Sequence, residues 1–516
     1  MSSTYDADVA IIGFGPTGVA AANALGCRGI TTVAFERETD IYHRARAVTV
    51  SDWTVRHLQE VGLSDRAKKD MDEMYALQWK LYDGTPILFS TWPAGPFGHS
   101  TSYSIYQPLL EQTLREGAAR FGDKGRVEYG VVVVGVEQDD DGVTVTTRDL
   151  STGQEKTTRA RYALACHGGE AATRAMLGVN LLGDTVETRW IVIDAKVKRW
   201  WPNRHVLTFW SDKDRPVVDI ALGRANHRWE LPLRPGETDE TFDSPEKVWP
   251  LLEELGVTRD DVDIHGYAFY NHHVRSAENW RIGERVFLLG DAAHLMPPWA
   301  GAGMQSGMRD AFNLAWKIEG VLDGRLPESI FDSYETERRS NVDFFTGLSV
   351  QLGRIIKQEL TPEELTELVR AQAAGEALPF TWPPSYATGW FTGPCSPPAA
   401  SAESAVGQMI PQPRSADVRG LIAPLDELLG NWFVLLGDGV DPSTLLSPAE
   451  KADWDRIGAR YVAVRSPDQR TESPDEIVDI DGSLLAWMRD HGARAIAVRP
   501  DKFVAAADCT GLAVPV

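Results

Sequence analysis

Cysteine is scarce in this sequence, and its four residues, Cys27, Cys166, Cys395 and Cys509, lie far apart. No pair has the CxxC spacing, which excludes a dithiol redox centre and a thiolate zinc site within the chain. Scattered cysteines are typical of proteins in a reducing compartment. Because the first residues also lack the basic and apolar segments of a secretion signal, we expect a cytoplasmic protein.

Basic residues and long apolar runs are also few. Lysine and arginine number 52 against 74 aspartates and glutamates, and the formal net charge is -22 at pH 7. Such an acidic chain repels phosphates, so we expect neither nucleic acid nor an anionic membrane as a partner. No apolar run approaches the roughly 18 residues of a membrane span. The 516 residues, 43% of them hydrophobic, predict a globular protein of about two to four domains.

The most informative stretch runs from residue 285 to residue 317. Residues 286–289 predict a buried strand that ends in Asp291, and a loop with two prolines leads through Gly301 and Gly303 into a helix with apolar residues at helical spacing. A strand that ends in an acid, followed by a helix N-terminus with free N–H groups, is suited to binding a polyol and an anionic ring. These residues predict one half of a flavin site.

The other half lies at the start of the chain. Residues 8–12 predict a strand, and the pattern GxGxxG of Gly13, Gly15 and Gly18 follows it and opens a helix, so that backbone N–H groups can bind a pyrophosphate. A second predicted strand ends in Glu36, whose carboxylate can accept both ribose hydroxyls and would repel a 2′-phosphate. This segment predicts FAD or NAD rather than NADP; the alternative is a glycine turn in an unrelated α/β protein.

Two further polar groups follow in the first part of the chain. Arg44 and Arg46 lie in a loop soon after the ribose-binding acid, where they either contact the cofactor or are solvated. Gln107 begins a predicted helix, so its amide either reaches the cofactor or caps that helix.

The middle and the end of the chain have different patterns. Between residues 181 and 270, short runs rich in Trp and Val predict an inserted antiparallel sheet, which we expect to form a wall of the substrate pocket. Residues 393–401 have the composition of a linker. Beyond it, strands alternate with helices from residue 405 to 516 and predict a small separate α/β unit.

These segments together resemble the class A flavoprotein monooxygenases of the para-hydroxybenzoate and phenol hydroxylase superfamily. Within it, the chain is similar to the branch of 3-(3-hydroxyphenyl)propionate hydroxylases and aromatic-polyketide hydroxylases. The matching motifs are GFGPTG with Glu36, the loop Arg46, YQPLLEQTLR, GDAAH with PPWAGAGMQSGMRDAFNLAWK, and the C-terminal DGSLLAWM and VRPDKFV. They span nearly the whole chain, and the segment from GDAAH to AWK is the most specific.

The resemblance implies an α/β fold in which a Rossmann-like FAD-binding domain carries an inserted antiparallel β-sheet substrate domain and precedes a thioredoxin-like domain without CxxC. The expected boundaries are 1–180 and 281–392 for the two parts of the FAD domain, 181–280 for the substrate domain and 405–516 for the thioredoxin-like domain. It is also compatible with a homodimer, which the sequence itself does not establish.

The resemblance assigns the cofactor contacts as well. The groups that would hold FAD are Gly13, Gly15 and Gly18 with Thr17 between them at the pyrophosphate, Glu36 at the adenosine ribose, Arg46 and Gln107, Asp291 at the ribityl or pyrophosphate region, and Pro298, Gly301, Gly303 and Met304 at the flavin pyrimidine edge. No metal site is implied.

The implied reaction hydroxylates a phenolic substrate that is 3-(3-hydroxyphenyl)propionate-like or polyketide-like. NADH or NADPH would reduce FAD, O2 would add to give a flavin C4a-hydroperoxide, and its distal hydroxyl would pass to the aromatic ring. No second GxGxxG occurs, so the nicotinamide would bind only transiently. The rival hypotheses are a flavin oxidase or dehydrogenase on the same fold and a flavin protein without catalysis.

The sequence does not identify the base that would deprotonate the phenol. The candidates are His227, Tyr270 and His272, with Tyr267 and His273 nearby, although histidines in such a sheet are more often structural. For the walls of the pocket we expect Pro297 and Trp299, which lie between the strand end and the helix start, and Trp210 from the sheet; Trp190 and Trp229 are further candidates that individually fit a core equally well.

One position departs from the resemblance. The usual Asp-Gly motif after the third strand is replaced by the run from Cys166 to Gly169, with His167 at the place of the aspartate and Arg174 kept in register. Two interpretations are open. The loss of a negative charge where flavin and nicotinamide meet changes how the enzyme binds the pyridine nucleotide, or His167 is a neutral substitute that only keeps the turn.

Overall fold

The computed structural model describes residues 5–92, 94–169, 172–374, 384–397 and 403–515. Within these ranges the strands form four sheets, and the sequence-predicted strands and helices recur with boundaries shifted by a few residues. No helix in the described ranges combines the length and the apolar character that crossing a bilayer requires.

The first part of the chain, up to residue 169, alternates strands with short helices. Its elements are β1 (Ala7–Ile12), α1 (Pro16–Cys27), β2 (Thr32–Glu36), β3 (Thr49–Ser51), α2 (Asp52–Glu60), α3 (Ser64–Lys68), β4 (Asp72–Met74), β5 (Ala76–Lys80), β6 (Pro86–Thr91), β7 (Ser102–Ser104), α4 (Gln107–Ala119), β8 (Gly125–Tyr129), β9 (Val131–Gln138), β10 (Val143–Asp149) and β11 (Glu155–Ala165).

The middle part holds the long strands and the long helices. Its elements are α5 (Ala172–Met176), β12 (Leu181–Val197), β13 (Leu207–Trp210), β14 (Val217–Leu222), β15 (Asn226–Pro232), α6 (Pro245–Glu253), β16 (Val262–Ala277), β17 (Arg281–Ile282), β18 (Val286–Leu288), β19 (His294–Leu295), α7 (Gly303–Leu322), α8 (Asp332–Ile356) and α9 (Pro362–Ala373).

The last part alternates again. Its elements are β20 (Arg414–Asp417), β21 (Ile422–Pro424), α10 (Leu425–Leu429), β22 (Val434–Asp438), α11 (Pro448–Ile457), β23 (Arg460–Arg465), β24 (Glu476–Asp479), α12 (Ser483–Asp490), β25 (Ala495–Val498) and β26 (Val504–Ala507). The predicted linker lies partly outside the described residues, which omit 398–402.

The first sheet positions the nucleotide segments. Its strands run in the order β17-β18-β11-β1-β2-β8, and the β1–β11, β1–β2, β11–β18 and β2–β8 pairs are parallel. The carboxyl ends of β1, β2, β11 and β18 therefore meet at one edge, where ligands of open parallel sheets bind. Helices α1 and α7 cover one face with a continuous apolar core. This arrangement brings residue 13 and residue 290 to the same edge although they are far apart in sequence.

The second sheet is larger than the sequence predicted. Its order is β19-β16-β12-β15-β14-β13-β5-β6, so β5 and β6 from the first part of the chain extend it beyond the inserted segment. The strands of the inserted segment pair antiparallel, whereas the added pair of β13 and β5 is parallel. A parallel neighbour needs a distant segment of chain, and local strand patterns carry no information about that pairing.

The third sheet belongs to the C-terminal unit and has the order β21-β20-β24-β23-β22-β25-β26. Its own core packs around Val434, Val462 and Ile496. A buried ion cluster joins this unit to the middle part, since Arg499 donates to Glu337 Oε1 and Oε2 at 2.8 and 2.9 Å.

Candidate functional site

A cavity of about 1100 Å³ lies where the first sheet, the second sheet and the N-terminus of α7 meet. Gly15 from the first segment and Gly303 from the second both line it. Two segments that the sequence analysis assigned to one cofactor therefore share one cavity.

The turn after β1 depends on two glycines that no other residue can replace. Gly13 has φ +93°, and a Cβ there would lie 2.7 Å from the Cys166 carbonyl oxygen. A Cβ on Gly18 would lie 2.0 Å from the Gly13 carbonyl oxygen. Gly15 has no atom within 4 Å of its Cβ position and caps α1, so its backbone is open to the cavity. The turn leaves the space at a helix N-terminus that a pyrophosphate requires.

Glu36 closes the carboxyl end of β2 and lines the cavity. Its Oε2 accepts a hydrogen bond from the Phe14 N–H at 2.7 Å, and its Oε1 accepts from the Glu38 N–H at 2.9 Å. The carboxylate is held in one orientation by backbone donors, and each oxygen keeps further acceptor capacity for a ribose hydroxyl.

The loop with Arg46 is fixed from two sides. Gln107 Oε1 accepts from the N–H groups of Arg46 and Ala47 at 2.8 and 2.7 Å, so the amide oxygen orients the loop. From the second sheet, Arg228 donates to the Arg46 carbonyl at 2.9 Å and also to the Ala45 carbonyl. The exposed Arg46 guanidinium lines the cavity. The buried Arg228 thus couples the Arg46 loop to the second sheet.

Asp291 follows β18 and lines the cavity, and burial raises the pKa of its carboxyl. The turn beside it packs tightly on Thr17, because Cβ atoms on Gly290 or Gly307 would lie 2.6 or 2.3 Å from Thr17 Oγ1. Thr17 therefore joins the two predicted halves directly.

Asp310, about two turns into α7, anchors the same loop. Its Oδ2 accepts from the Gly290 N–H at 2.9 Å and lies 2.8 Å from His294 Nε2, while Oδ1 accepts from Arg338 at 2.8 Å. All three side chains are buried. Gly301 (φ +60°), Gly303 and Met304 then line the cavity at the start of α7, with Pro298 beside them.

These groups fit FAD. A glycine turn open at Gly15, a ribose acceptor at Glu36, an acid at a strand end and a helix N-terminus line one continuous cavity. The positive end of α7 is suited to stabilise the negative charge that a reduced flavin carries on its pyrimidine edge.

The remaining wall of the cavity is apolar and belongs to the second sheet and α8. Its side chains are Leu77, Trp79, Leu207, Phe209, Val218, Ile220, Trp299, Leu348 and Leu352. Such a wall accommodates an aromatic ring and excludes water.

Glu230 is the acid in this wall, and the sequence analysis missed it. It lines the cavity, is 7% exposed, and pairs with Val218 of β14, whose side chain lines the same wall. Burial raises the pKa of Glu230 although Arg228 lies 3.5 Å away. The only signal was an acid within the predicted strand β15, and the face to which that acid points depends on strand register.

The histidine and tyrosine candidates lie elsewhere. His227 is fully buried behind the sheet, with Nε2 2.6 Å from Asp219 and its ring 4.4 Å from that of Trp229. His272 packs behind Trp299 at a ring distance of 5.2 Å, and burial lowers its pKa to about 4. None of His227, Tyr270 and His272 is among the described residues that line the cavity, and the role of each as a base stays a prediction.

Two residues that were expected to line the pocket, Trp210 and Pro297, are not among its described lining residues. Trp210 faces the opposite side of the sheet, donates from Nε1 to Asp219 at 3.0 Å, and leaves the cavity wall to its neighbour Phe209. Pro297 is buried, and its carbonyl accepts from Ser349 Oγ at 2.9 Å, so it fixes the loop. Trp299 does line the cavity, as predicted.

His167 lines the cavity beside the glycine turn. Both ring nitrogens are buried without a hydrogen-bond partner among the described residues, and burial, with Arg174 nearby, lowers the pKa to about 4. The imidazole is therefore neutral at neutral pH. Arg174 instead donates to the carbonyls of Ala292 and Gly169 at 2.8 and 3.0 Å.

Known families match along most of the chain. The family described as FAD binding domain matches residues 6–345, and the one described as HcaD C-terminal domain matches residues 407–513. A protein of Burkholderia cenocepacia (strain HI2424) named 3-(3-hydroxy-phenyl)propionate/3-hydroxycinnamic acid hydroxylase is 34% identical, covering 98% of this chain and 94% of its own. A protein of that name from Mycobacterium sp. (strain JLS) is also 34% identical, covering 97% and 89%.

Solved structures share the fold at lower identity. The flavin-dependent monooxygenase PieE, in complex with FAD and substrate, has a TM-score of 0.79 at 23% identity and covers 97% of this chain and 95% of its own. Aklavinone-11 hydroxylase, with FAD and aklavinone, has a TM-score of 0.78 at 20% identity and covers 98% and 95%. The fold is thus the mixed α/β fold of FAD-binding monooxygenases, with several sheets. Together with the near full-length relatives, these matches establish that the chain belongs to the family of FAD-dependent aromatic hydroxylases.

Proposed function

We propose that this enzyme hydroxylates a phenolic ring with NAD(P)H and O2, on a substrate of the 3-(3-hydroxyphenyl)propionate or aromatic-polyketide kind. The observation that carries the proposal is the shared cavity, in which the two cofactor segments face an apolar wall that bears Trp299 and Glu230. When bound, FAD supplies the oxygen-activating chemistry; the protein orients the ring, excludes water and handles the phenolic proton.

The residues that would hold FAD are those at the cavity's nucleotide edge. They are Gly13, Gly15, Thr17, Gly18, Glu36, Arg46, Gln107, Asp291, Pro298, Gly301, Gly303 and Met304. All of them line the cavity except Gly18, which permits the close packing of α1 on the turn. Gln107 acts by orienting the Arg46 loop.

Anaerobic reduction is the decisive measurement. We expect NADH or NADPH to reduce the bound FAD faster when a phenol from the correct class is present, and subsequent O2 to yield a product with one added oxygen atom. Labelling with 18O2 identifies the source of that atom. Release of peroxide with no oxygenated product under every phenol tested would contradict the hydroxylase proposal.

That contrary result defines the second candidate, a flavin oxidase or dehydrogenase on the same fold. The neutral His167, in the place of the usual aspartate, is the observation that favours it. An oxidase would reduce its flavin with the organic substrate alone and would need no NAD(P)H.

For Glu230 we propose the role of proton acceptor for the phenol. Glu230→Gln should lower the hydroxylation rate by about 100-fold, the usual effect of a lost general base, while NAD(P)H still reduces the flavin. The raised pKa also fixes the sign of the pH dependence, because the carboxyl must be ionised to accept a proton. Wild-type activity should therefore fall as pH drops through that pKa, and the variant should lose this acidic limb.

The control for this substitution is Asp263→Asn on β16 of the same sheet, where the carboxylate forms an exposed pair with Lys198. It should leave the pH profile unchanged. If Glu230→Gln retained both the hydroxylation rate and the acidic limb of the pH profile, a group other than Glu230 would have to accept the phenolic proton.

We further propose the domain boundaries 1–180 with 281–392, 181–280 and 405–516, the middle one extended by β5 and β6. The C-terminal unit, which matches the HcaD C-terminal domain family, would be a thioredoxin-like domain without a dithiol. Its sheet of seven strands supports this proposal, and the buried Glu337 cluster gives it a structural role beside the flavin domain.

A further inference from the structure

One region of the cavity, which we call the lobe, lies between α2, the loop before β7 and α8, and it continues into the apolar wall through Phe345. Three aromatic side chains enclose it, and the polar groups exposed to it are few. The lining residues that matter are Asp52, Trp53, Phe97, Arg309, Asn341 and Phe345. The function proposed above does not use this lobe.

Arg309 of α7 is the unusual group in the lobe. It is 3% exposed, and its guanidinium lies between two rings, 4.0 Å from the centroid of Trp53 and 4.8 Å from that of Phe345. The two rings hold the planar cation in one orientation beside the cavity that Arg309 lines.

The hydrogen bonds of Arg309 are incomplete. Nε and Nη1 are buried with no partner among the described residues. Nη2 has only long contacts, 3.3 Å to Ser51 Oγ and 3.4 Å to Gln305 Oε1. Gln305 Oε1 already accepts shorter bonds from the Ser51 N–H and Thr54 Oγ1 at 2.8 and 2.7 Å. A buried cation with open donors is costly unless an anion compensates it.

The other buried arginines of the described chain differ from Arg309 in their acceptors, although Nε and Nη1 of Arg215 also have no partner there. Each of them donates to a carboxylate or to a backbone carbonyl, as Arg56 does to Asp426, Arg174 to Ala292, Arg204 to Asn226, Arg215 to Glu237, Arg228 to Asp194, Arg338 to Asp310 and Arg499 to Glu337. Arg309 has neither kind of partner within the described residues. An anion that enters through the cavity would supply the acceptor that Arg309 lacks.

We propose that Arg309 binds the carboxylate of the aromatic substrate, which makes this lobe a carboxylate subsite. Trp53, Phe97 and Phe345 provide walls against which the apolar part of such an acid packs, and a planar guanidinium matches a planar carboxylate. This inference rests on the proposed function for the identity of the ligand and adds the residue that selects an acid over a neutral phenol.

Asp52 limits the charge of the anion. Its carboxyl also lines the lobe, and burial raises its pKa to about 7, so it is partly ionised at neutral pH. With Asp52 protonated, the single positive charge of Arg309 balances one carboxylate, whereas a phosphate with two negative charges would keep one of them uncompensated. The lobe fits a monoanion.

Binding to the FAD-loaded enzyme without turnover tests this inference. The probes are 3-(3-hydroxyphenyl)propionate and its neutral amide, titrated against the flavin absorbance spectrum. We expect the wild type to bind the acid about 10- to 100-fold more tightly than the amide, as for a lost charged hydrogen bond. Arg309→Met should abolish this preference while retaining FAD, and Arg309→Lys should restore part of it.

The remaining outcomes overturn the inference. An unchanged preference in Arg309→Met, or equal binding of acid and amide by the wild type, would show that Arg309 does not bind the substrate carboxylate. Binding of chloride that depends on Arg309 while acid and amide stay equal assigns the lobe to small anions instead. Because no turnover is measured, an inactive enzyme that still prefers the acid through Arg309 would contradict only the hydroxylase proposal.

Discussion

Replacing Gly18 by alanine is expected to destabilise the protein by about 3 kcal/mol and to prevent the retention of FAD. The added Cβ would lie 2.0 Å from the carbonyl oxygen of Gly13 and 3.3 Å from the side chain of Ile11. The first neighbour is backbone in a turn that Gly13 already holds at φ +93°, so the turn itself would have to move. Thermal unfolding and the flavin absorbance of the purified protein measure the two effects.

Gly15→Ala is the matched control within the same motif. Its Cβ would have no neighbour within 4 Å and its φ of −74° suits any residue, so the protein without FAD should unfold at the wild-type temperature. FAD should nevertheless bind at least about tenfold more weakly, because the methyl group occupies the space through which the backbone approaches the pyrophosphate. Unchanged FAD affinity in Gly15→Ala would mean that the pyrophosphate binds away from this turn.

The nucleotide half of the site was predictable because its signals are local. Strand β1, the glycine turn and α1 are consecutive, and the acid that orients toward the turn ends the next strand. Glu36 meets the Phe14 N–H since β1 and β2 are parallel neighbours, which the pattern itself implies. Local spacing thus determined the geometry at this edge.

The substrate half was not predictable to the same degree. Glu230 and His227 are three residues apart on β15 and point to opposite faces, and only the register with β14 decides which face meets the cavity. Residue chemistry alone left His227, Tyr270 and His272 as open candidates for the base. A one-residue change in register exchanges the faces, so residue type alone does not select the base.

Arg309 was missed for a different reason. It lies in a helix whose apolar spacing was recognised, and a charged residue at a buried helical position is usually paired. Only the three-dimensional arrangement reveals that its neighbours are rings and weak acceptors rather than a carboxylate. Pairing is a property of contacts between distant segments.

The second large effect is expected at Glu337, where Glu337→Gln should lower the free energy of unfolding by about 3 to 5 kcal/mol. The carboxylate is fully buried and accepts from Arg499, Lys317 and Asn313 at 2.7 to 2.9 Å, and from the Trp390 N–H at 3.0 Å. A neutral amide of the same shape leaves the charges of Lys317 and Arg499 undercompensated in the interior. Urea unfolding of the FAD-loaded protein, with limited proteolysis of the C-terminal unit, measures the loss.

The pH dependence of this effect has a definite sign. Burial alone would raise the pKa of Glu337, but Arg499 and Lys317 outweigh it and hold the pKa far below the ordinary value of 4.5. A depressed carboxyl pKa contributes stability that is fully present above the unfolded-state value and is lost as pH falls below it. The difference between wild type and Glu337→Gln should therefore be constant at neutral pH and shrink below about pH 4.

Glu155→Gln, which breaks a half-exposed pair with Arg148, should change stability by less than about 0.5 kcal/mol. Equal effects of the two substitutions would mean that the buried cluster does not hold the C-terminal unit to the flavin domain.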